Sequence, residues 1–371
     1  MSETGSDVRY WQALCPHLKR YGITRIADVT GLDRLGIPVV QAVRPSALSN
    51  AVTQGKGLSK ASAAISAAVE CIEMRSGENF DGVPAWSGEV PEDVPDAWRP
   101  LAPGFEGWPN AATRWATGRC LRTGAAMPVP MALCSTDFSS GGPFENDPVL
   151  RSSIGLGAGA DEGTAIRHGL LECVENDARI RLFAAWPLDE SRRITECPRH
   201  PEALARTFGR VRACGLRIHA WDMTQRPGPV CVMVRVMEDP HGNPGLALPA
   251  EGFAARKDQG AALLAALLEA VQARLAVISG AREDMTRALY RHGAKMSDLV
   301  ELWDAPEFGS PASGSDDARP AERVGLNALL DVVPGPVVAV PLLADGEIPL
   351  HVVRVLVPEL MADPMRMEGT S

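Results

Sequence analysis

The chain contains no CxxC pair among its eight cysteines, so nothing in it supports a tetrahedral zinc site. Cys71 and Cys173, like the others, read best as small hydrophobic fillers. No GxxxxGK[ST] stretch occurs, which excludes a Walker A phosphate loop. The 37 basic against 46 acidic residues leave a net charge of −9, which still allows a local basic groove. That balance argues against nucleic acid or an anionic membrane surface as the main partner. No run approaches about 18 consecutive apolar residues, and the start, MSETGSDVRYWQ, lacks the charged-then-apolar pattern of a signal peptide. No membrane partner is expected, and the expected location is the cytoplasm. The histidines other than His168 show no metal-ligand spacing.

What is present is an ordinary soluble composition. The 371 residues are 45% hydrophobic and 22% charged, enough to bury a large core. No Pro/Gly/Ser linker splits the chain before residue 306. A single domain over 1–371 is therefore expected, with an N-terminal segment at 1–50, a mobile loop at 306–323 and a tail at 359–371.

Hydrophobic spacing predicts helices over 8–21, 58–77, 161–183, 201–214 and 258–279, and strands over 127–134, 216–223 and 228–238. Residues 335–358 read as a β-hairpin turning at ADGE, and 81–110, rich in Pro, Gly and Trp, as a loop layer without helix. The elements alternate without a regular βαβ beat. The expected class is mixed α/β, or α+β.

Three of the helices carry nearly the same acidic turn: VECIE at 69–73, LECVE at 171–175 and LEAVQ at 268–272. Residues three and four apart share a helix face, so Ser66, Glu70 and Glu73 form one polar stripe beside buried Ile65, Val69 and Ile72. His168, Glu172 and Glu175 repeat it, as do Glu269 and Gln272. Thirteen positions separate Gly57 from Glu70, and thirteen separate Gly159 from Glu172. Each of these two helices follows a glycine run, where free N–H groups and the helix dipole would favour an anion. Carboxylates further along could hold Mg²⁺, a hard cation that keeps phosphate oxygens among its ligands. Gln272, where the other turns have glutamate, offers a neutral amide to a purine edge or phosphate and adds no negative charge.

This combination resembles the YcaO family, whose members use ATP to activate a peptide-bond oxygen. The resemblance is carried by QGKG (54–57), SAAVECIE (66–73), SSIGLGAGADEGTAIRHGLLECVENDA (152–178) and EAVQARLAVISGARED (269–284). It implies a YcaO-like fold in which β-sheets and long helices surround a nucleotide site. It further implies ATP and Mg²⁺ as cofactors, with Lys56, Ser66, Glu70, Glu73, Glu172, Glu175, Gln272, Arg274 and Arg282 binding them. Glu70, Glu73, Glu172 and Glu175 would be the metal ligands, and Lys56, Arg274 or Arg282 would face phosphate.

The segment GITRIADVTGLDRLGIPVVQAVRP (22–45), with IEMRSGE (72–78) carrying Met74 and Glu78, is similar to the branch that works with a TfuA-like protein partner. That branch implies thioamide formation in a precursor peptide, and a homodimer is a family expectation. Azoline formation by cyclodehydration, or a degenerate protein that only binds peptide or scaffolds a complex, are the alternatives. Ala160, Thr164 and Asn176 depart from the family pattern, where asparagine, glutamate and arginine are usual.

Overall fold

The structure is a computed structural model that describes residues 3–80, 83–92, 94–102, 105, 107–149, 151–185, 187–197, 201–241, 249–281, 296–309 and 324–361. Twelve strands form three antiparallel sheets among these residues. The first has the order β1 (Arg25–Asp28), β2 (Val39–Val43), β3 (Val52–Lys56). The second runs β5 (Ala126–Pro130), β4 (Trp115–Cys120), β11 (Val338–Ala344), β12 (His351–Leu356), β6 (Leu156–Gly159). The third runs β10 (Ala250–Arg256), β9 (Val230–Met237), β8 (Arg217–Asp222), β7 (Arg193–Ile194). The helices are α1 (Glu3–Leu14), α2 (Lys60–Glu78), α3 (Val94–Trp98), α4 (Glu162–Ala184), α5 (Glu202–Ala213) and α6 (Gln259–Ile278), then three shorter ones at Met296–Asp304, Leu326–Val332 and Pro358–Met361.

The three long helices start alike. Each follows an edge strand and opens on a side chain that accepts a backbone N–H in the first turn: Ser59 from Ser62, Asp161 from Thr164, Asp258 from Ala261. Counted from that cap, position 11 is Glu70, Glu172 and Glu269, and position 14 is Glu73, Glu175 and Gln272. A strand glycine lets each helix lie against its own strand. A Cβ on Gly55 would sit 2.1 Å from the Ala63 carbonyl and the Ala67 nitrogen. One on Gly157 would sit 2.2 Å from the Ala165 carbonyl, and one on Gly252 2.0 Å from the Ala266 carbonyl. Only glycine allows so close an approach.

The cores close in a ring. Helix α2 is sandwiched between the first and second sheets, with Ala63, Ala67 and Ile72 against Val40 on one side and Val340 and Val352 on the other. Helix α4 lies between the second and third, with Ile166, Leu170 and Val174 among Val353, Val355, Trp221 and Met233. Helix α6 lies between the third and first, with Leu263, Leu267 and Val271 among Val232, Val234 and Val39. Each helix therefore also touches the edge strand of the next unit: α2 meets β6, α4 meets β10, and α6 meets β3. Full burial of each such Leu, Ile or Val stabilises by about 1.5–3 kcal/mol. Helix α6 is long and apolar enough to cross a membrane by length and composition, but here it is more than half buried as a core helix.

The predicted helices and strands are found, with corrections: the strand expected over 127–134 ends at Pro130, and Met131–Cys134 forms a 3₁₀ turn. The 8–21 helix starts at Glu3 and tightens to a 3₁₀ turn at Cys15–Tyr21, where Pro16 enters. Within 81–110 a short helix, α3, forms at Val94–Trp98 and buries Trp98. The glycine runs at 54–57 and 155–159 are largely strand, because β3 and β6 pair with β2 and β12. Residues 310–323 and 362–371, the bulk of the expected loop and tail, lie outside the described residues.

Candidate nucleotide and metal site

The position-14 side chains reach across to the next unit. Glu73 on α2 accepts the Ala158 amide of β6. Glu175 on α4 accepts the Ala255 amide of β10 at 3.0 Å. Gln272 on α6 donates its Nε2 to the Gln54 carbonyl of β3 at 3.0 Å. This third contact explains the glutamine. It meets a carbonyl, which needs a donor, and a carboxylate there would face an acceptor with another acceptor. Charge relief toward a phosphate is not required to account for it.

The position-11 carboxylates sit just inside this ring. Glu172 accepts the Gly155 amide at 3.0 Å, and Glu269 accepts the Phe253 amide at 3.3 Å. Lys56, at the end of β3, bonds Glu269 at 2.6 Å, and its charge also acts on Glu70 and Glu175. One ammonium thus faces a carboxylate from each of the three helices. Each of these carboxylates keeps part of its surface accessible to solvent.

Crowding shows in the ionisation. Burial, with Glu269 adding to it and Lys56 opposing, pushes the Glu70 carboxyl up to about 7. Burial and the Glu70 charge push Glu73 to about 8. Burial, with Glu73 and Glu175 adding to it, drives Glu172 well above the usual carboxylate range. Burial and Glu269 take Glu175 to about 7, against the pull of Arg256 and Lys56. All four shift upward because charged carboxylates lose water and repel one another, which a cation would relieve.

Among the described residues no three His, Cys, Asp or Glu side chains gather tightly enough to hold a metal by themselves. Helices that each offer one or two carboxylates to one cluster suit an ion whose remaining ligands come from phosphate. The residues present fit Mg²⁺ together with a nucleotide.

Folded-state values raised in this way mean that the ligand-free protein holds protons that the unfolded chain would release near pH 4.5. Their contribution to stability is complete below that pH and is lost as pH rises through about 7 to 8. The melting temperature of the ligand-free protein is expected to fall over that range, and Glu73→Gln to flatten the fall. Scanning calorimetry at several pH values checks this, and a wild-type curve no steeper than that of the variant would contradict it.

At the two helix starts expected to favour an anion, side chains of the chain itself cap the first turn, Ser59 in α2 and Asp161 in α4. The first turn of α4 is closed by the Asp161 carboxylate, itself held by Thr164. Eleven residues of helix, about 16 Å, then separate each cap from its carboxylate. The position-14 side chains meet the strand of the next unit, whereas Glu172 and Glu269 at position 11 accept amides of their own unit, from Gly155 and Phe253. Arg274 is corrected as well. Its guanidinium is buried on Asp33 at 2.8 and 3.2 Å and on Glu238 at 2.6 Å, away from the cluster.

Ser66 and His168 stand one turn ahead of Glu70 and Glu172, with the His168 ring nitrogen against the Ala158 carbonyl at 2.8 Å. Arg282 lies outside the described residues. Glu78 bonds Arg44 at 2.6 Å and the Ser49 amide at 2.9 Å, which ties the end of α2 to β2. Of the departures, Ala160 is exposed, Thr164 completes the α4 cap, and Asn176 is buried and accepts from Arg179.

Sequence reasoning did not propose Glu269, Arg256 or Arg354 as site residues. Glu269 was legible as the third member of the repeated turn. Arg354 was legible as the lone charge in an apolar strand, HVVRVL.

Known proteins share both sequence and fold with this chain. An uncharacterized protein in the tfuA 3′ region of Rhizobium leguminosarum bv. trifolii is 29% identical, across 95% of this chain and 86% of the relative. An uncharacterized Mycobacterium tuberculosis protein is 30% identical, across 96% and 82%. Among solved structures, YcaO from Methanopyrus kandleri bound with AMPPCP and Mg²⁺ superposes with a TM-score of 0.67 at 22% identity, covering 95% of this chain and 90% of that one. A heterocyclase in complex with substrate and cofactor gives 0.68 at 17%, covering 94% and 52%. Both likenesses, at such identities, speak to the fold. The family model described as YcaO cyclodehydratase, ATP- and Mg²⁺-binding, matches residues 54–361, and the chain belongs to that family.

Proposed function

We propose that the chain installs a thioamide in the backbone of a ribosomally made precursor peptide. The amide oxygen takes the γ-phosphoryl group of ATP, and a sulfur nucleophile then displaces phosphate from the activated carbon. The observation that carries this reading is the cluster of five glutamates from three helices around one lysine. Such chemistry needs charge placement and orientation more than a covalent protein group. Glu70, Glu73, Glu172 and Glu175 would hold Mg²⁺, which neutralises the triphosphate. Lys56, already facing this cluster, would turn to a phosphate oxygen. Ser66 and Gln272 line the same face and orient what is bound.

The tfuA-region relative supports the thioamide branch and a TfuA-like protein as partner for substrate delivery or sulfur transfer. Work in the cytoplasm, as a homodimer, completes the proposal. The second reading is azoline formation, favoured by the cyclodehydratase description of the family.

Incubating the chain with a candidate precursor peptide, ATP, Mg²⁺ and sulfide, with and without the TfuA-like protein, separates these by mass spectrometry. Exchange of oxygen for sulfur is expected. Loss of water would establish the azoline instead. An unmodified peptide that nevertheless binds would leave the chain as a scaffold.

A further inference from the structure

Strand β12 is buried on both faces. Val352 and Leu356 face the core of α2, while Val353 and Val355 face that of α4. Arg354 shares the face of Val352 and Leu356 and is only 2% exposed. Its Nε and Nη1 are sealed from solvent and have no hydrogen-bond partner among the described residues. A buried guanidinium left this incomplete is costly, and apolar residues could fill the space more cheaply.

Its surroundings say what it faces. Arg354 pairs with Leu156 of β6. The next residue, Val355, donates its amide to the Gly155 carbonyl at 2.7 Å, and Gly155 in turn donates its amide to Glu172 at 3.0 Å. The charged or ionisable groups whose fields reach Arg354 are Glu172 and the thiols of Cys134 and Cys173, both thiols held neutral by burial. Glu172 is therefore the one carboxyl among them, protonated in the ligand-free protein and charged once a cation binds, and it belongs to the cluster.

We propose that Arg354 is a positioning residue that acts through Glu172, supplying the buried counter-charge that aims this carboxylate at the cation of the bound nucleotide. The inference rests on the nucleotide-site reading above. Outer partners of metal-binding side chains typically contribute about 10- to 100-fold to metal affinity.

The test is calorimetric titration of full-length protein with ATP at several Mg²⁺ concentrations, beside thermal melts without ligand. Arg354→Met is expected to bind Mg²⁺–ATP about 10- to 100-fold more weakly, with an unchanged or higher melting temperature. Arg354→Lys, which keeps the charge, is expected to recover most of the affinity. Unchanged affinity in Arg354→Met would overturn the proposal. So would equal loss of affinity in both variants with lowered melting temperatures, the signature of a purely structural role. Wild-type protein that binds no nucleotide would remove the underlying reading and the inference with it, and that outcome is visible before any variant is made.

Discussion

Glu70→Ala and Glu172→Ala are each expected to abolish Mg²⁺-dependent ATP binding, a weakening of at least about 100-fold by calorimetry. The two residues sit on different helices, α2 and α4, 102 positions apart in the chain. A joint loss therefore places both in one site. The ligand-free fold should tolerate both changes. Each removes one member of a crowded set whose carboxyls are already forced upward by burial and by one another. Melting temperatures without ligand should hold or rise, while the stabilisation that Mg²⁺–ATP confers on the wild type should vanish. Retained binding in either variant would take that helix out of the site. A wild type that fails to bind at millimolar ATP would turn attention to Ala160, Thr164 and Asn176 as marks of a degenerate or partner-completed site.

Arg274→Ala is expected to act in the opposite way, losing about 3–5 kcal/mol of stability while the protein that remains folded still binds nucleotide. Its guanidinium takes Asp33 through two nitrogens and Glu238 through one, with all three residues buried. Removing it leaves two carboxylates in a dry interior between α6 and the segment before β2. The Coulomb attraction that offset their desolvation is then gone. Urea unfolding followed by circular dichroism measures the loss, and nucleotide titration of the folded fraction measures the rest. Unchanged stability with lost binding would return the guanidinium to the phosphates, where the family resemblance had placed it.

Helical periodicity is local, so the polar stripes of Glu70 with Glu73 and of Glu172 with Glu175 were legible from spacing alone. The same rule bore on Arg274: two residues past Gln272, it is turned about 200° around the helix and cannot share that face. On that other side its guanidinium meets Asp33 and Glu238. The strand glycines were legible as special positions, but not their purpose. A glycine that cradles a phosphate and one that admits a helix backbone look alike until the helix is in place.

By itself, then, the sequence determined three long helices, the acidic turn on each, and the absence of a Walker loop, because periodicity and motifs depend on residues within a few positions of one another. Tertiary structure decided which strand each glutamate meets, why the third turn carries glutamine, and that Arg354 is buried opposite Leu156, next to the Gly155 that bonds Glu172. Those outcomes depend on three sheets closing into a ring. Gln54 lies 218 positions from Gln272, and Gly155 nearly two hundred from Arg354. Contacts between such distant residues are set by packing of whole units, which no short stretch of chain encodes.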